Sequence, residues 1–301
     1  MRRLKIRVLE ILEKSKFQKS PDAEANLILL HAFRLENPKL QKFSELLLLD
    51  PSASDTVESE AIRIAGQRAS GLPLQHLLGS QYFYEHDYAV NDSTLIPRPE
   101  TEILVEATVE WCSKRFKNEA FQFAELGIGS GIISGEILSH FKNSKAVASE
   151  VNPLAIALAR QNLQSILKEP VDQRITLLEP ATSSEGFEIF LEHGPFDLVL
   201  SNPPYLSVKD PIEGEVMDHE PHAALFPKVD GEHEQPNFFY ENFLFHAKKL
   251  LKPDGMAFFE ISDLRAETLQ HEFTNAGFSF VRLIPDLTGR NRVLQASLIK
   301  P

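Results

Sequence analysis

An α/β fold with a mostly parallel sheet, preceded by a small helical bundle, is predicted by three observations. Residues 1–70 place apolar side chains at helical spacing; from about residue 121, short apolar runs alternate with amphipathic stretches; and Gly127, Gly129 and Gly131 crowd the end of the first of those runs. Alternation of this kind predicts helices on both faces of the sheet, because parallel strands must be joined by crossovers. A chain of 301 residues is long enough to hold such a domain and a smaller one beside it. We divide it into an N-terminal helical domain at 1–79, a hairpin link at 80–98 and the α/β domain at 99–301.

In the first segment Leu4, Val8, Ile11 and Leu12 share one helical face, and Leu27, Leu30 and Phe33 repeat the spacing in a second helix. Ser20 stands where a hydroxyl can cap that helix, Pro21 suits its first turn, and Asp22 and Glu24 suit its positive end. Asn37-Pro38 ends it. Further helix is predicted over Phe43 to Leu49 and Val57 to Ala69, closed by Gly71 and Pro73. Phe83, Tyr84, Tyr88 and Val90, with Asn91-Asp92 as the turn signal, predict a hairpin leading into Leu95-Ile96-Pro97. Strands are expected at 121–126, 145–149, 174–178, 196–201, 255–261, 279–284 and 292–299. The stretch from Ser207 to Pro236 is long and polar, either a cover over a site or a solvated insertion.

Composition excludes some functions. Cys112 is the only cysteine, so no intramolecular disulfide can form, and a cytosolic address is expected. No apolar run approaches the length of a bilayer span, and Arg7 and Glu10 interrupt the start, so neither a membrane partner nor a secretory signal is expected. Of the net charge of −12, residues 1–80 hold 12 basic and 10 acidic groups, net +2, which leaves −14 for the rest. An acidic main domain argues against a nucleic-acid substrate.

Asn202-Pro203-Pro204-Tyr205 directly follows the apolar run 196–201. Neither proline has an N–H, and a residue before proline is driven to extended backbone, so the strand ends here without entering a helix. The Asn202 side-chain oxygen and the Pro203 carbonyl are then two neighbouring acceptors suited to a planar –NH2 group, whose flat face Tyr205 could cover. The NH2 could belong to a glutamine carboxamide or to adenine, and the tetrapeptide alone is also compatible with a simple turn.

Glu125-Leu126-Gly127-Ile128-Gly129-Ser130-Gly131 lies between the first strand and a helix, where glycines let a ligand approach the backbone. A dinucleotide loop has its third glycine three places after the second, but that place holds Ile132; the spacing favours a smaller adenosyl ligand without a pyrophosphate. Glu150, nineteen residues beyond Gly131 at the end of the next strand, could accept from both ribose hydroxyls.

Together these segments resemble class I S-adenosylmethionine-dependent methyltransferases. With Gly71-Leu72-Pro73-Leu74-Gln75, Leu95-Ile96-Pro97-Arg98-Pro99-Glu100-Thr101-Glu102, Glu220-Pro221, Ala224-Leu225, Pro253-Asp254-Gly255, Phe259-Glu260-Ile261 and the tail Asp286-Leu287-Thr288-Gly289-Arg290-Asn291-Arg292-Val293, the chain is similar to the protein-(glutamine-N5) methyltransferases of peptide chain release factors, the PrmC/HemK family. The resemblance implies a Rossmann-like, seven-stranded, mostly parallel sheet and an N-terminal helical domain for substrate recognition. It also implies S-adenosyl-L-methionine as cofactor, S-adenosyl-L-homocysteine as product, and release factors 1 and 2 as partners, methylated on the glutamine of Gly-Gly-Gln. Asn202, Pro203 and Tyr205 are the catalytic candidates. Glu125, Gly127, Ile128, Gly129, Ser130, Gly131, Glu150 and Asn202 are the cofactor candidates, and Asn202, Pro203, Pro204, Tyr205, Arg98 and Glu100 those for substrate.

The chain departs from the family at Pro180-Ala181, where an acidic residue is usual, at Ser262-Asp263-Leu264-Arg265, and over 226–235. Rival readings are a ribosomal-protein glutamine methyltransferase, a nucleic-acid adenine N6-methyltransferase, and a non-catalytic scaffold. No metal is expected: His219-Glu220-Pro221-His222 with His233 lacks helical ligand spacing because proline interrupts it.

Overall fold

The computed structural model describes residues 1–17, 20–180, 182–210, 214–227 and 235–300, apart from the side chain at 215. The chain divides into two compact units, residues 1–80 with 213–219, and residues 81–212 with 220–301. Residues 81–98, read from sequence as a link, fall within the second unit.

The first unit holds α1 (Arg2–Leu12), α2 (Pro21–Arg34), α3 (Phe43–Leu49), α4 (Asp55–Ala69) and the short α5 (Leu74–Leu78), which the sequence reading did not include. Leu4, Val8, Leu12, Leu30 and Phe33 are buried as expected, but Leu27 is 47% exposed. The buried stripe of α2 is centred on Ala25, Ile28, Leu29 and Ala32, and Leu27 falls outside it. Ser20 occupies the N-cap position, yet its hydroxyl makes no capping bond, and Pro21 begins the helix. Glu24 is buried opposite Arg68: Nε donates to Oε2 at 3.0 Å and Nη2 to Oε1 at 3.1 Å, a bidentate pair between α2 and α4.

The second unit opens with the hairpin β1 (Ser80–Phe83) and β2 (His86–Ala89). Its turn is Tyr84-Glu85, with Tyr84 at φ +52° and its N–H held by Glu102 at 3.2 Å. Asn91, the expected turn residue, lies beyond the hairpin and accepts the Ser93 N–H at 2.9 Å. Tyr88 is fully buried, and its hydroxyl donates to Glu136 at 3.0 Å. The chain continues through α6 (Pro99–Arg115), β3 (Gln122–Leu126), α7 (Ile132–His140), β4 (Lys145–Ser149), α8 (Pro153–Leu167), β5 (Ile175–Leu178) and β6 (Phe196–Ser201). It ends with α10 (His222–Leu225), α11 (Phe238–Leu250), β7 (Leu251–Glu260), α12 (Ala266–Asn275), β8 (Phe280–Pro285) and β9 (Asn291–Ser297); α9 (Gly214–His219) groups with the first unit.

The large sheet has seven strands in the order β5-β4-β3-β6-β7-β9-β8, parallel except for β9, which runs antiparallel to β7 and β8. Side chains alternate across it, as the pleat requires. Phe123, Leu198, Leu200, Met256, Phe258 and Val293 pack on one face with α6, α7 and α8. Ala124, Val199, Ala257, Phe259 and Leu294 pack on the other with α11 and α12. Phe196 joins the second face because the β6–β7 register shifts between it and Leu198.

Helix α7 lies so close to the hairpin that only glycine fits at 135. A Cβ there would stand 2.6 Å from the Tyr88 hydroxyl. Gly135→Ala returns about 1 kcal/mol of helix propensity but overpacks the site at about 1–3 kcal/mol, so a net loss of about 1 kcal/mol is expected. Urea denaturation checks it, and a variant more stable than the native chain would contradict the close fit.

Candidate active site

Strand order dictates where a ligand can sit. The crossovers run outward from β3 through β4 to β5, then return to β6 on the other side of β3, so a crevice opens beyond the C-terminal ends of β3 and β6. Leu126 is in register with Ser149 of β4 and Ser201 of β6, and the Ser201 hydroxyl donates to the Leu126 carbonyl at 2.8 Å. The three segments singled out in the sequence, beginning at Gly127, Glu150 and Asn202, therefore leave adjacent strands at the same end of the sheet.

The glycine loop turns back on itself. Gly127, Gly129 and Gly131 have φ of +75°, +52° and +85°, a region where a side chain is strained. The N–H groups of Gly127 and Ile128 donate to the Ser149 carbonyl at 2.9 and 3.0 Å, and that of Gly131 to the Ile128 carbonyl at 2.8 Å. Buried Asn162 of α8 holds the loop from behind, donating to the Ser130 carbonyl at 2.8 Å and to the Ala89 carbonyl at 3.0 Å while accepting the Ala89 N–H at 2.8 Å.

A cavity at this point is lined by Glu125, Gly127, Ile128, Gly129, Ser130, Glu150, Asn202, Pro204 and Arg98, among others. Gly131 is set back against Ala159, where a Cβ would meet backbone at 3.4 Å. Pro203 is buried behind the cavity wall, and Tyr205 turns its hydroxyl to Glu260 Oε1 at 3.1 Å. Glu100 lies elsewhere, in a groove of about 630 Å³ along α6, 3.8 Å from Arg292. Arg98 reaches the cavity paired to buried Glu220, which also accepts the Ile96 N–H at 3.1 Å; Pro221, Ala223 and Ala224 extend that wall. Part of the long polar loop thus encloses the site. Pro180 lines the cavity too, while Ala181 lies outside the described residues.

Two carboxylates face this space. Glu150 accepts the Gly129 N–H through Oε2 and the Asn152 N–H through Oε1, both at 3.1 Å. Burial raises its pKa, and those backbone N–H groups oppose the shift. Glu125 is fully buried; the Ser134 hydroxyl donates to its Oε2, and its Oε1 has no partner. Burial pushes the Glu125 carboxyl up to about 8, with Ser134 opposing and Glu150 adding to the rise. A buried acceptor without a donor is costly, and a cationic ligand group would satisfy it.

Three groups at or behind the cavity were not assigned a role from sequence; of them Thr101 lines it. Asn202 Nδ2 donates to Thr101 Oγ1 at 3.3 Å, and the Thr101 hydroxyl donates to Glu260 Oε2 at 2.7 Å. Asn162 is the third. Thr101 and Glu260 were visible only as letters of the Arg-Pro-Glu-Thr-Glu and Phe-Glu-Ile motifs, and Asn162 had no signal.

In the segment His219-Glu220-Pro221-His222 with His233, where no metal is expected, Glu220 is engaged by Arg98 and His233 lies outside the described residues. Glu85, Glu136 and His140 place ligand atoms within 4.8 Å of one another, but both Glu136 oxygens already bond His86 at 3.1 Å and one also bonds Tyr88.

Residues 106–217, which span the glycine loop, Glu150 and the 202–205 turn, match the model of the methyltransferase small domain. The Bacillus anthracis protein named release factor glutamine methyltransferase is 30% identical, covering 84% of this chain and 86% of the relative. The chain belongs to the release factor glutamine methyltransferase family. A Rickettsia typhi protein named a bifunctional methyltransferase is 30% identical over 93% of this methyltransferase, which spans about half of that relative, 54% of its length. Other proteins named release factor glutamine methyltransferase are similar over most of their length: that of Koribacter versatilis is 29% identical, covering 91% of this chain and 90% of the relative. The corresponding values for Enterococcus faecalis are 29%, 88% and 90%. S-adenosylmethionine is the cofactor of this methyltransferase fold, and the site fits it. The three left-handed glycines open the loop to close approach, Glu150 presents a carboxylate at the cavity that suits a diol, and the orphaned Glu125 oxygen suits a cationic group. Among the described residues no helix is long and apolar enough to cross a membrane.

Proposed function

We propose that this chain transfers a methyl group from S-adenosyl-L-methionine to the side-chain amide nitrogen of the glutamine in the Gly-Gly-Gln motif of peptide chain release factors 1 and 2. The single observation that carries the reading is the Asn202 amide: its nitrogen is occupied by Thr101, so its oxygen is the free end at the cavity. The names of relatives that match along nearly their whole length support the same substrate class.

An amide nitrogen is a poor nucleophile because its lone pair is shared with the carbonyl. The bound cofactor supplies an electrophilic sulfonium methyl. Asn202 Oδ1, at the cavity, accepts one N–H of the glutamine, and the carbonyl of Pro203, a residue buried beside that lining, is proposed as acceptor of the other; the two bonds loosen that sharing and aim the lone pair. Both bonds strengthen as the nitrogen becomes cationic, which is stabilisation specific to the transition state. Holding the partners in line contributes up to about 7–11 kcal/mol. The cofactor would supply the methyl and leave as the neutral thioether, and the methylated nitrogen would be strongly acidic and lose one proton to water. Arg98 shapes the cavity wall, and Tyr205 is held by Glu260 behind the turn that carries Asn202.

Mass spectrometry of the glutamine-containing tryptic peptide, from release factor incubated with cofactor and with or without this protein, tests the proposal. One added methyl on the glutamine is expected. Methyl label that enters nucleic acid, or no protein at all, would overturn it.

A further inference from the structure

The catalytic amide has a polarity problem. An asparagine side chain is nearly symmetrical in shape, and rotating it by half a turn would present two donors instead of an acceptor to the incoming NH2. We propose that Thr101 and Glu260 form a hydroxyl–carboxylate relay that fixes the orientation of the Asn202 amide; they are positioning residues for the methyl transfer, an inference that rests on the function proposed above.

The available hydrogens fix the direction of the relay. Glu260, at the end of β7, is 3% exposed, and Thr101, in the first turn of α6, is 1% exposed. An ionised carboxylate only accepts. Its Oε2 takes the single hydrogen of the Thr101 hydroxyl at 2.7 Å, so Thr101 Oγ1 can only accept in turn, and it accepts from Asn202 Nδ2 at 3.3 Å. With the nitrogen held, Oδ1 must point the other way. Glu260 Oε1 takes the Tyr205 hydroxyl at 3.1 Å, which fixes the last residue of the same turn, and the Tyr240 hydroxyl of α11 anchors the Glu260 carbonyl at 2.8 Å. One buried carboxylate thus orients both polar side chains of Asn202-Pro203-Pro204-Tyr205.

A proton on Glu260 reverses the chain of donors. The carboxylic acid can donate to Thr101, whose hydrogen is then free to meet Asn202 Oδ1, and the flipped amide offers donors to a substrate that also offers donors. Burial pushes the Glu260 carboxyl up to about 7; the Thr101 and Tyr205 hydroxyls and Arg292 of β9 oppose the rise, and Glu100 of α6 adds to it. Tyr205, on the Glu260 carboxylate, and Tyr240, on its backbone carbonyl, are themselves held protonated, their pKa values raised by burial first and then by Glu260; Arg292 acts in the opposite sense on Tyr205 and Arg265 on Tyr240. The ionised form is the working one, so kcat is expected to fall as pH drops through the neutral range while cofactor affinity changes less.

Thr101→Val and Thr101→Ser separate the relay from packing. Valine keeps the shape and loses the hydroxyl; serine keeps the hydroxyl. We expect kcat to fall at least about tenfold in the valine variant, with cofactor Kd within about twofold, and serine to restore near-native turnover. A fully active valine variant, or serine and valine variants equally impaired, would overturn the relay. A second readout needs no turnover: the side-chain amide ¹⁵N signals of Asn202, assigned by their loss in Asn202→Asp, should titrate with Glu260 in the native protein and stay constant in Glu260→Gln. An Asn202 signal constant through neutral pH in the native protein would overturn the relay on its own. If the native protein leaves release factors unmethylated, the proposed function fails, while the amide titration still decides the relay.

Discussion

Asn202→Ala should lower kcat for methyl transfer by at least about 10³-fold while leaving cofactor affinity within about tenfold. The side chain lines the cavity beyond the end of β6, and its oxygen is its only polar atom not already engaged by Thr101. Alanine removes the acceptor that gains most as the glutamine nitrogen acquires charge, and it also leaves the Thr101 hydroxyl without its donor. Glu150, the glycine loop and Glu125 are untouched, so the cavity lining proposed for the cofactor is kept. Single-turnover kinetics with release factor, beside calorimetric titration of the cofactor, separates the two effects. Native turnover in the variant would remove Asn202 from the chemistry and with it the amide-activation mechanism.

The sheet and the three cavity-lining segments were legible in the sequence because each depends on neighbours in the chain. Short apolar runs bounded by Gly, Pro and Asn locate strands, glycines between a strand and a helix mark a close backbone approach, and Pro203-Pro204 stops β6 for a reason local to proline. What was not legible depends on pairing at a distance. Thr101 and Glu260 meet across 159 residues, and Asn202 and Thr101 across 101. Only the order of strands, with β7 beside β6 and α6 packed over both, brings them together. The hairpin turn was misplaced for a related reason: Tyr84 adopts a left-handed conformation that its residue type does not advertise, and the Glu102 carboxylate eighteen residues on holds it there. Leu27 shows the limit of periodicity within one helix, since spacing finds a stripe without fixing which edge of it meets the core.

Glu150→Ala should weaken cofactor binding by about 100-fold or more, the equivalent of about 3 kcal/mol. Glu150 is pre-positioned, because each carboxylate oxygen already accepts one backbone N–H, from Gly129 and from Asn152, and each keeps acceptor capacity for a ribose hydroxyl. Two hydrogen bonds to a charged acceptor in a buried setting contribute about 1.5–3 kcal/mol each, and pre-positioning spares the cost of ordering the side chain. Alanine deletes both and leaves the Gly129 N–H without its partner, which loosens the loop that cradles the ligand. The sign of the pH effect follows. Hydroxyl donors favour the ionised carboxylate, and burial raises the pKa of Glu150, so native affinity should fall as pH is lowered toward that raised pKa, while the alanine variant loses this dependence. Calorimetric titration at several pH values measures both. Unchanged affinity at neutral pH would detach Glu150 from the ribose and leave it as a loop anchor, held by the two N–H groups it already bonds.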